Sequence, residues 1–430
     1  MNLPDILEIH ETHVGLRRAV NQDSMLVQLA QNEEQWQTKG SLFMVADGMG
    51  GHKGGEKASQ IAVQQVSLVF GKMLAMGHDK ALRRALLDAN QEIHKCGKGN
   101  HEFFNMGTTA SILLLNGKGA WVAHVGDSRV YRIREGMVEQ LTYDHSYIWE
   151  VARIHNITPE DAAKKGILSN KITRCLGPEP EVLVDLEGPH EILLGDTYLV
   201  CSDGLSNKVT DEEMGLICSQ MEPKEAGAFL IDLANSRGGP DNITVVIAKV
   251  PGKSEEHAPM VRPTMNRPSI VDRLLKWSWI PFLIIGLLII SVSLSFYYNQ
   301  IMSFEPKFFG LIMIGTSFFV ASVLAFYFSE MKNRTQLNPM ESQTVGLRIH
   351  RRALFNVLTQ MEKILLGLEA LIVGLERQKT TNPQWNNMLT KARTLLKENN
   401  TKDSIKMVGK VLHEAILMVQ NAKKQPQLFN

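Results

Sequence analysis

At 430 residues and a formal net charge of +1 at pH 7, the chain is too long for one ordinary domain and offers no bulk charge for nucleic acid or a strongly acidic partner. Its four cysteines, Cys96, Cys175, Cys201 and Cys218, are scattered without metal-ligand spacing, which excludes zinc-ribbon classes and points to reduced, mostly buried thiols in a reducing compartment. The first residues, MNLPDILEIHETH, carry acids and no apolar stretch, so no signal peptide is expected.

Residues 1–250 read as a mixed α/β domain. A polar loop, His13 to Ser24, precedes a strand-like run from Met25 to Ala30, and Gln31 to Gly40 is a hydrophilic connection. The apolar run Leu42 to Ala46 predicts a buried strand; it stops at Asp47, and Gly48, Gly50, Gly51, Gly54 and Gly55 follow. Strand, glycine loop and helix in that order suit a cation or phosphate site, and equally a tight turn between two core elements. Lys57–Leu74 and Lys80–His94 read as amphipathic helices. Thr108–Leu115, Ala120–His124 and Arg129–Ile133 read as strands, with Asn116-Gly117 as a hairpin signal. Thr158-Pro159 has the form of a helix start, and Thr210 to Glu213 that of a capping box. Thr197–Ser202 and Ile243–Val250 are β-branched runs that read as strands.

Asp23, Asp47, Asp127, Asp203 and Asp241 all fall at strand–loop junctions, mostly beside small residues, and no Cys or His shares these junctions. Oxygen ligands alone select Mg²⁺ or Mn²⁺ over zinc. One Asp-Gly is ordinarily a turn. Five such carboxylates gathered in one domain would repel one another unless a cation joined them.

The motifs are GLRRAVNQDS (15–24), VADGMGGHKGGE (45–56), MGTTA (106–110), AHVGDSRVYR (123–132), LTYDHS (141–146), NKITRCLG (170–177), LVCSDGLS (199–206) and GPDNIT (239–244). In this order they resemble the metal-dependent protein serine/threonine phosphatases of type 2C, in the form seen in the bacterial branch. The resemblance implies a four-layer α-β-β-α sandwich with metals in a cleft at one edge. It also implies roles. Asp47 and the Gly48 carbonyl match the groups that hold a metal pair, and Asp203 and Asp241 the ligands of the first ion. Asp23 matches the carboxylate near the second ion, and Asp127 with Asp203 a third, weaker site. Arg18 matches the arginine that grips substrate phosphate, for which a planar guanidinium is suited. The implied chemistry is hydrolysis of phosphoserine or phosphothreonine by a water bridging Mn²⁺ or Mg²⁺ ions. Residues 147–169 match the family's variable flap beside the cleft. Two departures stand out. Gln22-Asp23 replaces the family's Glu-Asp, and Met49 stands where some relatives place a histidine. His52 is then a candidate proton donor, or a loop histidine that orients backbone. His124, His145 and Ser146 are assigned to the fold.

Residues 251–272 are rich in proline and charge and read as a disordered linker. Trp277–Tyr298 and Phe308–Phe328 each carry about 20 apolar residues without charge, enough for two transmembrane helices in a hairpin spanning 273–332. Basic residues outside the pair, Arg273, Lys276, Lys332 and Arg334, predict an inner-membrane protein with both flanks cytoplasmic. Residues 340–423 read as an all-α module. Leu354, Leu358, Met361, Leu365, Leu368, Ile372 and Leu375 form a heptad seam. Trp385, Met388, Ala392 and Leu395 form a second stripe, and Ile405, Val408, Leu412, Ala415 and Val419 a third. Such helices fit an intramolecular bundle, or a coiled coil through which two copies or a partner associate. The expected partners are phosphorylated proteins, a counterpart serine/threonine kinase and a lipid bilayer, with no nucleic acid. The alternative from another class is a pseudophosphatase scaffold that binds phosphoproteins without turnover, for which Gln22 is the support.

Overall fold

The structure, a computed structural model, describes residues 3–50, 53–167, 171–252, 351–354, 356–377 and 382–424. Residues 1–256 and 349–430 form one compact unit. Its centre is a pair of six-stranded sheets. In the first, β1 (Leu7–His13) pairs antiparallel with β11 (Ile243–Lys249), with His13 opposite Ile243. The order continues through β10 (Thr197–Cys201), β7 (Arg129–Arg134) and β8 (Met137–Gln140) to β12 (Arg351–Leu354). The second sheet runs β2 (Asp23–Gln28), β3 (Ser41–Met49), β5 (Ala110–Asn116), β6 (Gly119–Val125) and β9 (Asp185–His190), with the short β4 (Gly107–Thr108) paired to β3.

Strand β3 shows why the sheets stack. Successive side chains on a strand face opposite sides. Phe43 and Val45 enter the core between the sheets with Tyr198, Val200 and Val246. Leu42, Met44 and Ala46 face the other way, into the core beneath the helices α2 (Gly54–Met73) and α3 (His78–Gly99). On the outer face of the first sheet lie α7 (Asp211–Gln220) and α8 (Pro223–Ser236). Between β2 and β3 the hydrophilic connection holds a short helix, α1 (Glu33–Thr38), because Asn32 caps it and Trp36 is fully buried. In the flap region, α4 (Tyr147–His155) and α5 (Pro159–Lys164) share a small core of Ile148, Trp149, Ala152 and Ala162. The turn α6 (Asp203–Ser206) follows β10. The capping box at Thr210 is present in both directions, with Glu213 closing it.

Beyond the four layers lies a further helical one: α9 (Val357–Arg377), α10 (Gln384–Lys397) and α11 (Thr401–Lys424). Helices α10 and α11 pack together, α9 and α11 touch, and α11 lies on α8. Met361, Leu365, Leu368, Ile372 and Leu375 of the heptad seam are buried in the same core as Phe229, Leu230 and Leu233 of α8, while Leu358 stays about half exposed. Most of the seam is therefore covered within this chain. The buried stripe of α10 is Trp385, Leu389, Ala392 and Leu396, displaced from the expected one because Leu389 and Leu396 face the core while Met388 and Leu395 sit at its margin. Strand β12 adds to β8, with Ala353 opposite Val138.

The expectation of a two-span inner-membrane protein is corrected by the helices themselves. Among the described residues no helix is long and apolar enough to cross a membrane. Helices α9 and α11 have the length, but each carries charges on one face (Glu362, Lys363 and Glu369; Lys402, Lys406 and Lys410) and buries the other in protein. Residues 277–298 and 308–328, on which the expectation rested, lie outside the described residues, as does most of the 251–272 linker.

Candidate metal centre

All five aspartates converge where the two sheets meet. Antiparallel pairing of β2 with β3 sets Asp23 opposite Asp47. Asp203 opens α6 at the end of β10, and Asp241 lies two residues before β11, the neighbour of β10. Asp127 joins them from the turn between β6 and β7. Each side chain stands at a strand end because its strand is held by a core on both faces, which fixes the backbone but leaves the final carboxylate at the rim.

The electrostatics are those of crowded, desolvated acids. Burial pushes Asp23 up to about 7, against two hydroxyls that donate to its Oδ2: Ser202 at 2.8 Å and Thr244 at 2.6 Å. Burial, then the charges of Asp23, Asp203, Asp127 and Asp241, raise Asp47 well above the ordinary carboxylate range, although solvent still reaches part of it. Asp127 is raised well above that range by burial and by Asp203 and Asp144, and Asp203 is raised by burial and Asp241. Desolvation and like charge both favour the protonated form, and the charge of a bound cation would offset both. One oxygen of each of Asp23, Asp127 and Asp203 is buried with no hydrogen-bond partner. Buried polar atoms without partners are rare. Three on carboxylates in one cluster fit a hard divalent cation, for which oxygen is the favoured donor. Among the described residues no three His, Cys, Asp or Glu side chains are already drawn together to hold an ion.

Close backbone approach shapes the rest of the cleft. A Cβ on Gly48 would overlap the Gly55 carbonyl, and one on Gly204 would overlap the Asn242 carbonyl. Only glycine permits these approaches. The Gly48 N–H donates to the Gln22 carbonyl at 3.2 Å, so Gln22 contributes its backbone to the loop. Arg18, about half exposed, forks onto Asp241: Nε to Oδ1 and Nη2 to Oδ2, both at 2.8 Å.

Several residues that sequence reasoning left without a role hold this arrangement. Asn242 accepts the Gln22 N–H at 2.9 Å and donates to the carbonyls of Val14 and Val20, both at 3.0 Å, stapling the Arg18 loop beside Asp241. Ser202 and Thr244 hold Asp23. Thr109 accepts the Asp47 N–H at 2.9 Å and bonds Ser128 at 2.7 Å. Their signal was position inside the motifs SDG, NIT and GTT, but the strand register is needed to see what each faces. His145 accepts the Gly126 N–H at 2.9 Å beneath the Asp127 turn, and burial lowers its proton affinity. His124 is buried between Ser111 and the Tyr143 carbonyl. Both histidines serve the fold, as expected. Arg129, buried, forks onto Asp144 and lies 5.6 Å from the Trp149 ring, joining the sheet to the flap. His52, residues 168 and 169 of the flap, and Asn170 lie outside the described residues. Burial pushes Cys175 up to about 11 and Cys218 up to about 12, and raises Cys201, so these three thiols stay protonated and unreactive.

Residues 16–224 match the protein phosphatase 2C family. The serine/threonine phosphatase stp of Listeria monocytogenes is 36% identical over 214 residues, 48% of this chain and 84% of stp. The serine/threonine protein phosphatase PstP of Mycobacterium tuberculosis is 35% identical over 240 residues, 55% of this chain and 45% of PstP, so the chain spans under half the length of that relative. The PstP catalytic domain has been solved in complex with two manganese ions; it is 33% identical with a TM-score of 0.49, covering 57% of this chain and 99% of that domain. Among solved structures, Stp1 from Staphylococcus aureus is 30% identical with a TM-score of 0.52, covering 59% of this chain and 98% of Stp1. This chain belongs to the protein phosphatase 2C family, metal-dependent serine/threonine protein phosphatases that use Mn²⁺ or Mg²⁺.

Proposed function

We propose that this chain hydrolyses phosphoserine and phosphothreonine esters on proteins, reversing the work of a serine/threonine kinase. The observation that carries the reading is the cluster of buried carboxylate oxygens on Asp23, Asp127 and Asp203 that have no partner. With Asp47, Asp241 and the Gly48 carbonyl, these groups would hold the ions. The ions, when bound, supply the positive charge that lets a water lose its proton near neutral pH and that offsets charge gathering on the phosphate oxygens.

The chain's own groups do the rest. Asp241 now occupies the fork of Arg18. Were Asp241 to turn toward a bound cation, the Arg18 fork would be free, and its guanidinium would match two phosphate oxygens. Asp241 would then link the metal site to the phosphate-binding side chain. Asn242 and the glycine contacts hold the Arg18 loop and Asp241 in register.

The test is Mn²⁺-dependent phosphate release from a phosphothreonine peptide by the full chain, with Asp47→Asn as the control. The whole chain is required because the core over α7 and α8 is shared with α9 and α11. Release that disappears in the variant and in chelator supports the reading. No release from folded, Mn²⁺-saturated protein would overturn it in favour of a phosphoprotein-binding scaffold, with Gln22→Glu the next variant to examine.

A further inference from the structure

The last described helix of the chain reaches the first strand. Helix α11 crosses α8 closely enough that Gly409 rests on the Phe229 ring. The crossing is pinned by Lys406 to Glu225 at 3.2 Å and by His413 to Asp232 at 2.8 Å. Further along α11, the Gln420 side-chain amide meets Nε2 of His13 at 3.2 Å. On its other side, His13 Nδ1 accepts the Gly15 N–H at 2.8 Å, and the Asn235 amide lies 3.3 Å from the same nitrogen.

These contacts fix the histidine tautomer. A backbone N–H can only donate, so Nδ1 is the unprotonated nitrogen, and the proton of the neutral ring sits on Nε2. The Gln420 amide nitrogen stands at 3.2 Å from Nε2, and exchanging it for the amide oxygen by a half-turn about the last side-chain bond lets Nε2–H donate to Gln420. Burial lowers the proton affinity of His13, consistent with a neutral ring. Gly15 is the hinge between His13 and the Arg18 loop. It has φ +80°, and its Cα lies against the Asp241 carbonyl so closely that a Cβ would overlap it. The next residue, Leu16, donates its N–H to the Gly239 carbonyl at 2.7 Å. Arg18 comes two residues later and forks onto Asp241. A continuous path runs from α11 through Gln420, His13 and Gly15 to the Arg18 loop.

We infer that His13 and Gln420 are positioning residues for phosphate capture: the C-terminal helix, seated on α8, sets the Arg18 loop through the His13 ring. The inference rests on the reading of Arg18 as the phosphate-binding side chain. The family match ends at residue 224, so the helices that supply Gln420 lie beyond it and give this chain a control point its matched segment does not contain. The link lies at the edge of a cavity of about 430 Å³ lined in part by Glu11, Asp232, His413 and Leu417, not in the packed core. Changing Gln420 should therefore leave the fold intact.

The experiment compares variants of the full chain with Mn²⁺ and a phosphothreonine peptide at pH 8, where His13 is neutral. Gln420→Leu should raise KM about five-fold, the worth of one hydrogen bond, with kcat close to that of the parent. Gln420→Glu keeps an acceptor and should restore KM. Gln420→Leu placed on Arg18→Ala should add nothing to the KM of Arg18→Ala alone. A readout independent of catalysis is amide hydrogen exchange, which should quicken at residues 14–18 in Gln420→Leu while α7 is unchanged. An unchanged KM, a KM rise that persists on the Arg18→Ala background, or unchanged exchange at residues 14–18 would overturn the inference. A parent protein that releases no phosphate while exchange still quickens would remove the proposed function and leave the mechanical link standing.

Discussion

The aspartate cleft and the outer helical layer handle buried chemistry in opposite ways. In the cleft, carboxylates are pressed together, deprived of water and left with unpartnered oxygens. In the helical layer, the core is aliphatic, and Trp385 and Ser404 reach it with partners, Glu414 at 2.8 Å and the Ala392 carbonyl at 2.8 Å, while one neutral amide oxygen, on Gln360, is left without a partner. The difference separates a surface built to be completed by an ion from one already complete in the chain. Removing a group from the first should harm function more than stability. Removing one from the second should do the reverse.

The largest expected effect is on activity. Asp203→Asn should lower Mn²⁺-dependent turnover by on the order of 10²–10³-fold, since the charge stabilisation a bound ion supplies amounts to several kcal/mol. In metal-free protein the same variant should melt no lower than the parent, because it removes one of several carboxylates that repel each other. A lower melting temperature without metal would sink the account of the cleft. Trp385→Ala works the other surface: it should cost about 3–5 kcal/mol of stability by the cavity it opens. Denaturant unfolding measures this, and a loss under about 1 kcal/mol would show that the helical layer is not integral to the core. Arg18→Ala comes next, with KM raised more than kcat is lowered if Arg18 binds ground-state phosphate; an unchanged KM removes it from the phosphate site.

The smallest effect concerns pH. Burial lowers the His13 pKa, so the folded chain binds fewer protons there than the unfolded chain does. The stability this contributes is present above about pH 6.5, the unperturbed histidine value, and is lost as pH falls through the lowered folded-state value. Comparing the pH dependence of unfolding in the parent and in His13→Asn isolates it; identical profiles would show that His13 is not desolvated. Glu11 and Asp232, raised by burial, oppose this with stability that is lost as pH rises through the carboxylate range, so the variant must be read against both.

Much of the site was legible because its residues come in short local patterns. Asp47 is marked by an apolar run that ends on an acid and a glycine, and the Thr210 cap by two residues three apart. What stayed hidden was pairing over long distances. Strand β1 has no strong alternation, and becomes a strand by lying beside β11, more than two hundred residues away. Asn242, Ser202 and Thr244 sit in motifs that were read for their aspartates, and their hydrogen-bond partners come from strands and loops distant in sequence. The two apolar runs at 277–298 and 308–328 led to a membrane placement that no described helix supports.

By itself the sequence determined the α/β pattern, the set of acids at strand ends and the amphipathic stripes of the last three helices, because each depends on residues within a few positions of one another. Only the tertiary structure decided which carboxylates meet, which oxygens are left without partners, and what the stripes cover. An apolar face specifies that it will be buried but not against what, since the hydrophobic effect has no direction. The seam of α9 reads as well for a second copy as for α7 and α8. The shape of the outer face of the first sheet chose between them, and in doing so brought Gln420 to His13.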